Sequence, residues 1–358
     1  MAITYHAGRR IQATQADFDG TPAVLGGWKE LARTTLGSAG DTIDVSSLPD
    51  KRYYMILRDL QDTGGTIDHY IRMGNSTIDT GSNYAVRVSQ NGGSDSTLTS
   101  QSSFYDFYAR ASYPKFSMGY LTNLSGKEKL YTGHIVEQNT AGAGNVPSRH
   151  EIVGKWANTS NPMDIHGSNN LSGSGSYASG SEVVVLGWDP ADSHTTNFWE
   201  LRASVDVTTG TSISTGNFTA KKYLWVQFYL DASAISFDWQ FNSSTDTQTS
   251  TYSGRHSNNG AGPTATTDYT QINKNVMAEN FGLNASPHFG NMFIVNNASK
   301  EKLVTGKLVN QNTATAGNIP NRAEFAYKWA NTTNQINNIT MLNSVNVSRF
   351  IMKVWGSN

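Results

Sequence analysis

The chain contains one passage twice. Residues 127–162 read KEKLYTGHIVEQNTAGAGNVPSRHEIVGKWANTSNP and residues 300–335 read KEKLVTGKLVNQNTATAGNIPNRAEFAYKWANTTNQ, identical at 23 of 36 positions without a gap. Repetition of that fidelity marks a duplicated structural unit, and each copy must bury a core of its own. Fainter correspondences flank the block. Lys51-Arg52-Tyr53-Tyr54 matches Lys221-Lys222-Tyr223-Leu224, and Tyr84, Arg87, Asn91 and Gly92 match Tyr252, Arg255, Asn259 and Gly260. The spacing between partners drifts by a few residues, which puts the length changes in turns. The expected organisation is an N-terminal arm over 1–24 with no counterpart, a first repeat over 25–190 and a second over 191–358. Each repeat is large enough to enclose a core.

Within each unit the pattern is that of strands. In the first, β-type runs fall near 41–46, 51–60, 66–73, 84–90, 104–111, 116–123, 129–137, 151–158 and 181–188. Several alternate: Ile67, His69 and Ile71 share one face, and Asp68, Tyr70 and Arg72 the other. Clusters of Gly, Ser and Asn separate the runs, as at 91–97, 141–148 and 172–180. No amphipathic pattern of three helical turns is visible, which argues against alternating βαβ folds. The expected fold is all-β: two tandem antiparallel β-sandwich domains, jelly-roll-like in strand number and turn spacing.

The polar residues narrow the function. Only 15% of the chain is charged, and a net charge of −1 offers no basic face to neutralise phosphates, so no nucleic-acid partner is expected. The absence of cysteine removes disulfides, thiol nucleophiles and zinc–thiolate sites. The eight histidines are scattered without ligand spacing, and neither a metal nor a cofactor is expected. The opening MAITYHAGRRIQATQ has no apolar run behind its arginines, and no window reaches the apolar length of a membrane span. The expectation is synthesis in the cytoplasm without a signal peptide and without membrane insertion.

Catalytic constellations are hard to find. Asp189, Asp192, Ser193 and His194 crowd one short stretch, but neighbours on a connecting segment do not converge on one reacting atom. An interdomain turn is expected there, and no catalytic residue. Gly173 and Gly175 form a Gly-x-Gly without the strand–loop–helix unit that cradles phosphate. A glycosidase would need two poised carboxylates, and pairs such as Asp59 and Asp62 are not repeated.

The remaining candidates lie in the repeated block: Asn145, Arg149 and Trp156, with Asn318, Arg322 and Trp329. As a binding site for a sugar or a partner, Trp offers a flat apolar face while Asn and Arg orient polar groups. As structure, a buried Trp anchors the sheets, Gly-Asn-x-Pro makes a turn, and Arg149 with Glu151 forms a same-face pair. Two identical cores are obligatory where two identical sites are optional, so the structural reading takes precedence. Phe104, Tyr105, Phe107 and Tyr108 put aromatics on both faces of one run, to be covered by a neighbouring subunit or by their own domain. Tyr84 and Tyr252, beside Arg87 and Arg255, are read as stacking or cation–π partners.

The segment RMGNSTIDTGSNYAVRVSQNGGSDST (72–97) resembles a signature of a family of mostly uncharacterised virion proteins from tailed phages and marine viruses. LPDKRYYMIL (48–57), GYLTNLSGKEKL (119–130), the stretch 139–160 and SEVVVLGWDPAD (181–192) carry the same resemblance. It covers nearly all of the first repeat and more loosely the second, which lacks the GSNY core at Gln248 to Tyr252. The resemblance implies a jelly-roll structural protein of a virus particle, whether capsid, decoration, head-fibre or tail-associated, and it brings no catalytic residues. The expectation is a non-enzymatic virion component, a homo-oligomer assembling with other virion proteins through symmetric contacts. Host-surface glycans are a further expected partner. The alternative is a carbohydrate-binding or adhesion module.

Overall fold

The computed structural model describes residues 27–358 except 106–112, 191, 193–195, 233–236, 243–250, 270–286, 312–313 and 317. The expected arm over 1–24 and the aromatics Phe107 and Tyr108 lie outside the described residues.

Among the described residues the first repeat runs through β1 (Lys29–Thr35), β2 (Thr42–Val45), β3 (Tyr53–Leu60), β4 (His69–Asn75), β5 (Thr77–Ile78), β6 (Tyr84–Gln90), β7 (Ser96–Gln101) and β8 (Phe104–Tyr105). It continues with β9 (Lys115–Thr122), β10 (Lys129–Glu137), β11 (Ser148–Trp156), β12 (Ile165–Asn170) and β13 (Glu182–Trp188). The second comprises β14 (Glu200–Val207), β15 (Ser212–Ser214), β16 (Tyr223–Ala232), β17 (Phe237–Phe241), β18 (Tyr252–Asn258) and β19 (Thr264–Tyr269). Its remaining strands are β20 (His288–Val295), β21 (Lys302–Asn310), β22 (Asn321–Trp329), β23 (Ile339–Asn343) and β24 (Val347–Ser357).

The duplication read in the sequence is a duplication of topology. The large sheet of the first repeat has the order β1-β13-β3-β9-β10-β11-β6-β7, and that of the second is β14-β24-β16-β20-β21-β22-β18-β19. These two orders are the same list shifted by one repeat. The small sheets follow suit, β2-β12-β4 against β15-β23-β17, with β5 and β8 added to β4 in the first repeat. Every pairing is antiparallel, so the molecule is a pair of tandem jelly-roll-like sandwiches. Even the turns repeat. The hairpins after β6 and β18 are built on Asn91-Gly92 and Asn259-Gly260, with φ of 52° and 74° in one and 52° and 75° in the other. Asn-Gly suits such left-handed hairpin positions because both residues tolerate positive φ.

Side-chain alternation builds three apolar clusters. Along β16, Leu224, Val226, Phe228 and Leu230 point inward to the core of the second sandwich. Tyr54, Ile56 and Leu60 of β3 do the same in the first. The intervening residues Met55 and Leu57, with Phe116 and Met118 of β9, form an outer face that in many sandwiches meets water. Here it meets the outer face of the second large sheet. Tyr223, Phe293, Val295 and Leu303 close against it in one buried cluster, with the Phe116 and Tyr223 rings 6.2 Å apart. At roughly 1.5–3 kcal/mol for each large side chain fully removed from water, this third core holds the two repeats together.

Two strands show where sequence patterning gave out. β12 reads IHGSNN, with no large apolar residue after Ile165, yet it is the central strand of the small sheet, paired with β2 on one side and β4 on the other. Its buried Asn170 makes this possible: Oδ1 accepts from the backbone N–H of Asp68 and of Gly173, both at 3.0 Å, and Nδ2 donates to Gly175 O at 2.6 Å. The expected run 104–111 contributes β8, where Phe104 is buried in its own domain against Tyr84 and Tyr131.

Candidate functional site

The repeated block is accounted for residue by residue, beginning with its tryptophans. Trp156 and Trp329 close β11 and β22 and are fully buried, each stacked on the tyrosine that opens the neighbouring strand, Tyr84 or Tyr252. Neither indole presents a face to a ligand, which corrects their candidacy as binding residues: the inward register of each strand end takes them into separate cores. Behind them sit Lys129 and Lys302, 5.8 and 5.5 Å from the ring centres. Lys129 Nζ donates to the carbonyls of Lys127 and Asn158, and Lys302 Nζ to those of Lys300 and Asn331. The KEKL and KWAN ends of the block therefore clamp one another.

The Asp-Thr-Gly-Ser-Asn-Tyr segment that carries the family resemblance belongs to the same device. Asp79 Oδ2 accepts from Trp156 Nε1 at 2.7 Å, while its carboxylate also receives Gly81 N–H and Asn83 Nδ2. Partial burial works against ionisation there, but these three donors hold the Asp79 carboxyl below its ordinary range. Tyr84 donates its hydroxyl to Met73 O and accepts from Met73 N–H. Expected pairing of Tyr84 with Arg87 does not occur. Positions three apart on a strand face opposite sides, and Arg87 pairs with Asp95 at 3.0 Å instead.

Asn145 and Asn318 shape their loops, each donating Nδ2 to the carbonyl four residues earlier, at 2.9 and 2.8 Å. Arg149 and Arg322 form the expected same-face pairs with Glu151 and Glu324, at 2.7 and 3.4 Å. There the likeness ends. Arg149 is sealed between the repeats, where it donates to Glu324 O and to Ser257 Oγ. Arg322 is exposed. Likewise Lys328 is buried at the joint and donates to the carbonyls of Gln138 and Thr140, with Glu301 at 3.6 Å, while its counterpart Lys155 pairs with Glu128 near the surface. Glu301 also receives Gln138 Nε2 and Gly142 N–H across the joint, both at 2.6 Å.

Sequence reasoning missed a buried ionisable cluster at one end of the first core. Lys115 Nζ lies 3.6 Å from Glu137, and His150 Nε2 3.7 Å from the other oxygen of that carboxylate. Arg58 donates to Ser117 Oγ alongside, with His69 and His166 buried on the facing sheet. Burial, with the nearby Arg58 charge, pushes the His166 imidazole down to about 3 and His69 well below its ordinary value. Burial pushes Asp62 up to about 7. The second repeat has Phe228 and Phe237 where the first has Arg58 and His69, so pairwise comparison of the repeats was the one available signal. Among the described residues no group of three or more His, Cys, Asp or Glu is arranged to hold a metal ion.

Two other sequence features have structural explanations. Asp189 accepts from Arg52 N–H at 3.0 Å and Asp192 pairs with Lys51, tying the connecting segment to the first repeat; Ser193 and His194 lie outside the described residues. Gly173 and Gly175 lie against backbone, where a Cβ would come within 2.2 Å of Thr66 O and 2.3 Å of Gly64 O.

On the outer face of the first large sheet a groove of about 390 Å³ is lined by Trp28, Tyr53, Tyr120, Leu130 and Trp188. Tyr53 stacks on Trp188 with centroids 5.5 Å apart, and Trp28 lies 5.9 Å from Tyr120. Flat aromatic walls of this kind take either a sugar ring or an apolar side chain.

No family model matches this chain, and no curated protein matches it. Among solved structures, the LG1–3 region of the laminin α2 chain aligns over 88% of this chain at 10% identity with a TM-score of 0.21, this chain spanning 64% of that one. Domains LG4–5 of the mouse laminin α1 chain align over 89% of this chain and 84% of theirs, at 10% identity and a TM-score of 0.18. Scores at this level carry no argument, and the architecture rests on the strand pairing itself.

Proposed function

We propose that this chain is a non-enzymatic structural component of a virus particle that works through protein–protein contacts. The observation that carries the structural part of this reading is the use made of the repeated block. Its tryptophans and lysines lock two cores, and Arg149, Lys328 and Glu301 seal the joint between them. A sequence kept alike in two copies for packing and joining is what a building block needs. Placement in a virion is supported by the resemblance at 72–97, whose Asp79 and Tyr84 hold the Trp156 anchor. Quantitative mass spectrometry of purified particles tests it. Expected is this chain in a fixed ratio to a known shell protein, hundreds of copies for a shell or decoration role and fewer for a fibre or tail. Absence from particles refutes the placement.

A second reading, a carbohydrate-binding or adhesion module, is favoured by the aromatic groove. A glycan array tests it: binding lost in Trp188→Ala but kept in Trp329→Phe would support a sugar site in that groove.

A further inference from the structure

The joint between the repeats is heterologous: it uses different parts of the same outer face in each. The first repeat contributes Phe116, Val136 and Arg149, and the second contributes Tyr223, Leu303, Ala326 and Lys328. Because the repeats share one register, each of these residues has a counterpart in the other copy. Phe289, Val309 and Arg322 occupy the strand positions of Phe116, Val136 and Arg149. Tyr53, Leu130, Val153 and Lys155 occupy those of Tyr223, Leu303, Ala326 and Lys328. The joint leaves both counterpart sets open.

Exposure shows how completely. Phe116 and Val136 are 1% and 0% exposed, whereas Phe289 and Val309 are 49% and 40%. Leu303 and Ala326 are 2% and 0% exposed, whereas Leu130 and Val153 are 56% and 50%. The Arg149 side chain is 2% exposed and that of Arg322 is 62%. A repeat array ordinarily closes its ends with polar faces. This one ends in faces that keep exposed Phe289, Val309, Leu130 and Val153 at joint positions, while Gln227, Asn291 and Lys353 stand where the joint has Leu57, Met118 and Val184.

We propose that the chain assembles head to tail with a second copy of itself, the free face of repeat 2 docking onto the free face of repeat 1 by the contact that joins the repeats within one chain. Inside the chain, the Phe116 ring sits against Tyr223 among Phe198, Phe293 and Leu303. The corresponding hole on repeat 1 is the groove of Tyr53, Trp28, Tyr120 and Leu130, and the corresponding knob is Phe289. Some of the polar partners carry over as well. Arg149 reaches Ser257 Oγ and Glu324 O, and Arg322 has Ser89 and Glu151 at the matching positions of the next copy. Gln138 reaches Glu301, and Gln311 has Glu128. Other bonds are not reproduced: Ser253, which donates to Asn145 O, is matched by Ala85, and Asp59 and Glu182, which hold Lys222, Tyr223 and Asn297 across the joint, are matched by Tyr229 and Ile351. A heterologous contact propagates into a filament, or into a ring where the rotation closes. The inference rests on the structural reading above and not on the virion placement.

The test uses the whole chain in sedimentation velocity over a range of concentration. Expected for the wild type are species larger than a monomer that grow with concentration or stop at one ring. Phe289→Asp blocks the knob and Leu130→Asp blocks the groove; both residues are exposed, and unchanged circular dichroism and unfolding midpoint confirm the fold. Each variant alone is expected to stay monomeric, and an equimolar mixture to stop at a dimer through the one intact knob and the one intact groove. For a second readout, the cysteine-free chain carries Phe289→Cys or Tyr53→Cys singly, and a short bis-maleimide should couple the mixture in preference to either alone. A monomeric wild type at the highest soluble concentration, a mixture that fails to dimerise, or a groove filled by glycan with no self-association overturns the proposal. Self-assembly in a chain absent from particles would refute the virion placement and leave this inference standing.

Discussion

Arg149 and Arg322 occupy the same position of the same repeated block, so replacing each by alanine measures what position in the fold adds to identity in sequence. Arg149→Ala removes the ion pair to Glu151 at 2.7 Å and the hydrogen bonds to Ser257 Oγ and the Glu324 carbonyl. Breaking one side of a buried pair costs about 3–5 kcal/mol, because the other side is left desolvated. Burial already raises the Glu151 carboxyl, with Arg149 opposing the rise, so the stranded group takes up a proton and the loss should fall near 3 kcal/mol. Arg322→Ala removes a looser pair at 3.4 Å, between an exposed arginine and a largely buried Glu324, and should cost less, about 1 kcal/mol. The assay is urea unfolding followed by tryptophan fluorescence, at a dilution where the chain is monomeric and with slopes compared before midpoints. Arg149→Ala should also separate the transitions of the two repeats, since the joint couples them. Adding Glu151→Gln should recover part of the loss by removing the unpaired charge. Equal shifts for Arg149→Ala and Arg322→Ala would refute the reasoning.

Trp156→Ala and Trp329→Ala should each destabilise their own repeat by about 3–5 kcal/mol in the same unfolding assay. Trp156→Phe should still lose about 1.5–3 kcal/mol for the bond to the Asp79 carboxylate, and an unchanged midpoint would place that indole outside the core. Acid should weaken the first repeat. The unfolded chain protonates His69 and His166 below about pH 6.5 while the fold does not, so stability falls as pH drops through that value. His166, held at about 3, removes on the order of 2 kcal/mol at pH 5, and His69, also held low, adds to the loss. Asp62, raised to about 7 by burial, acts oppositely and returns on the order of 2 kcal/mol. Urea midpoints at pH 7 and pH 5 measure the net loss, and a gain on acidification would contradict it. Gly175→Ala should cost about 1–3 kcal/mol, because the added methyl meets the Gly64 carbonyl and not a side chain that can move; a neutral result by thermal melting would show that the loop can shift.

Strands in this chain were legible where apolar and polar residues alternate and where Gly or Asn marks the turn. The runs 84–90 and 129–137 coincide with β6 and β10 to the residue. The polar β12 was not legible, because its burial is made tolerable by side chains such as Asn170 bonding to distant backbone. Among the candidate residues, the Arg149–Glu151 pair and the Asn145 turn were readable from spacing alone, since both are local. That Arg149 is buried and Arg322 exposed was not, because both sit in the same Pro-x-Arg-x-Glu motif.

The sequence by itself determined that there are two units, that both are antiparallel sandwiches, and that one block of residues builds the same anchor in each. Those properties follow from periodicity, turn chemistry and internal identity, which act over a few residues or within one repeat. Only the tertiary structure decided which half of each outer face is covered. That choice depends on how two folded surfaces meet, and a repeat joined to its own copy through unlike halves leaves one half of each open. The aromatic groove on the first repeat and the exposed Phe289 on the second are those two halves.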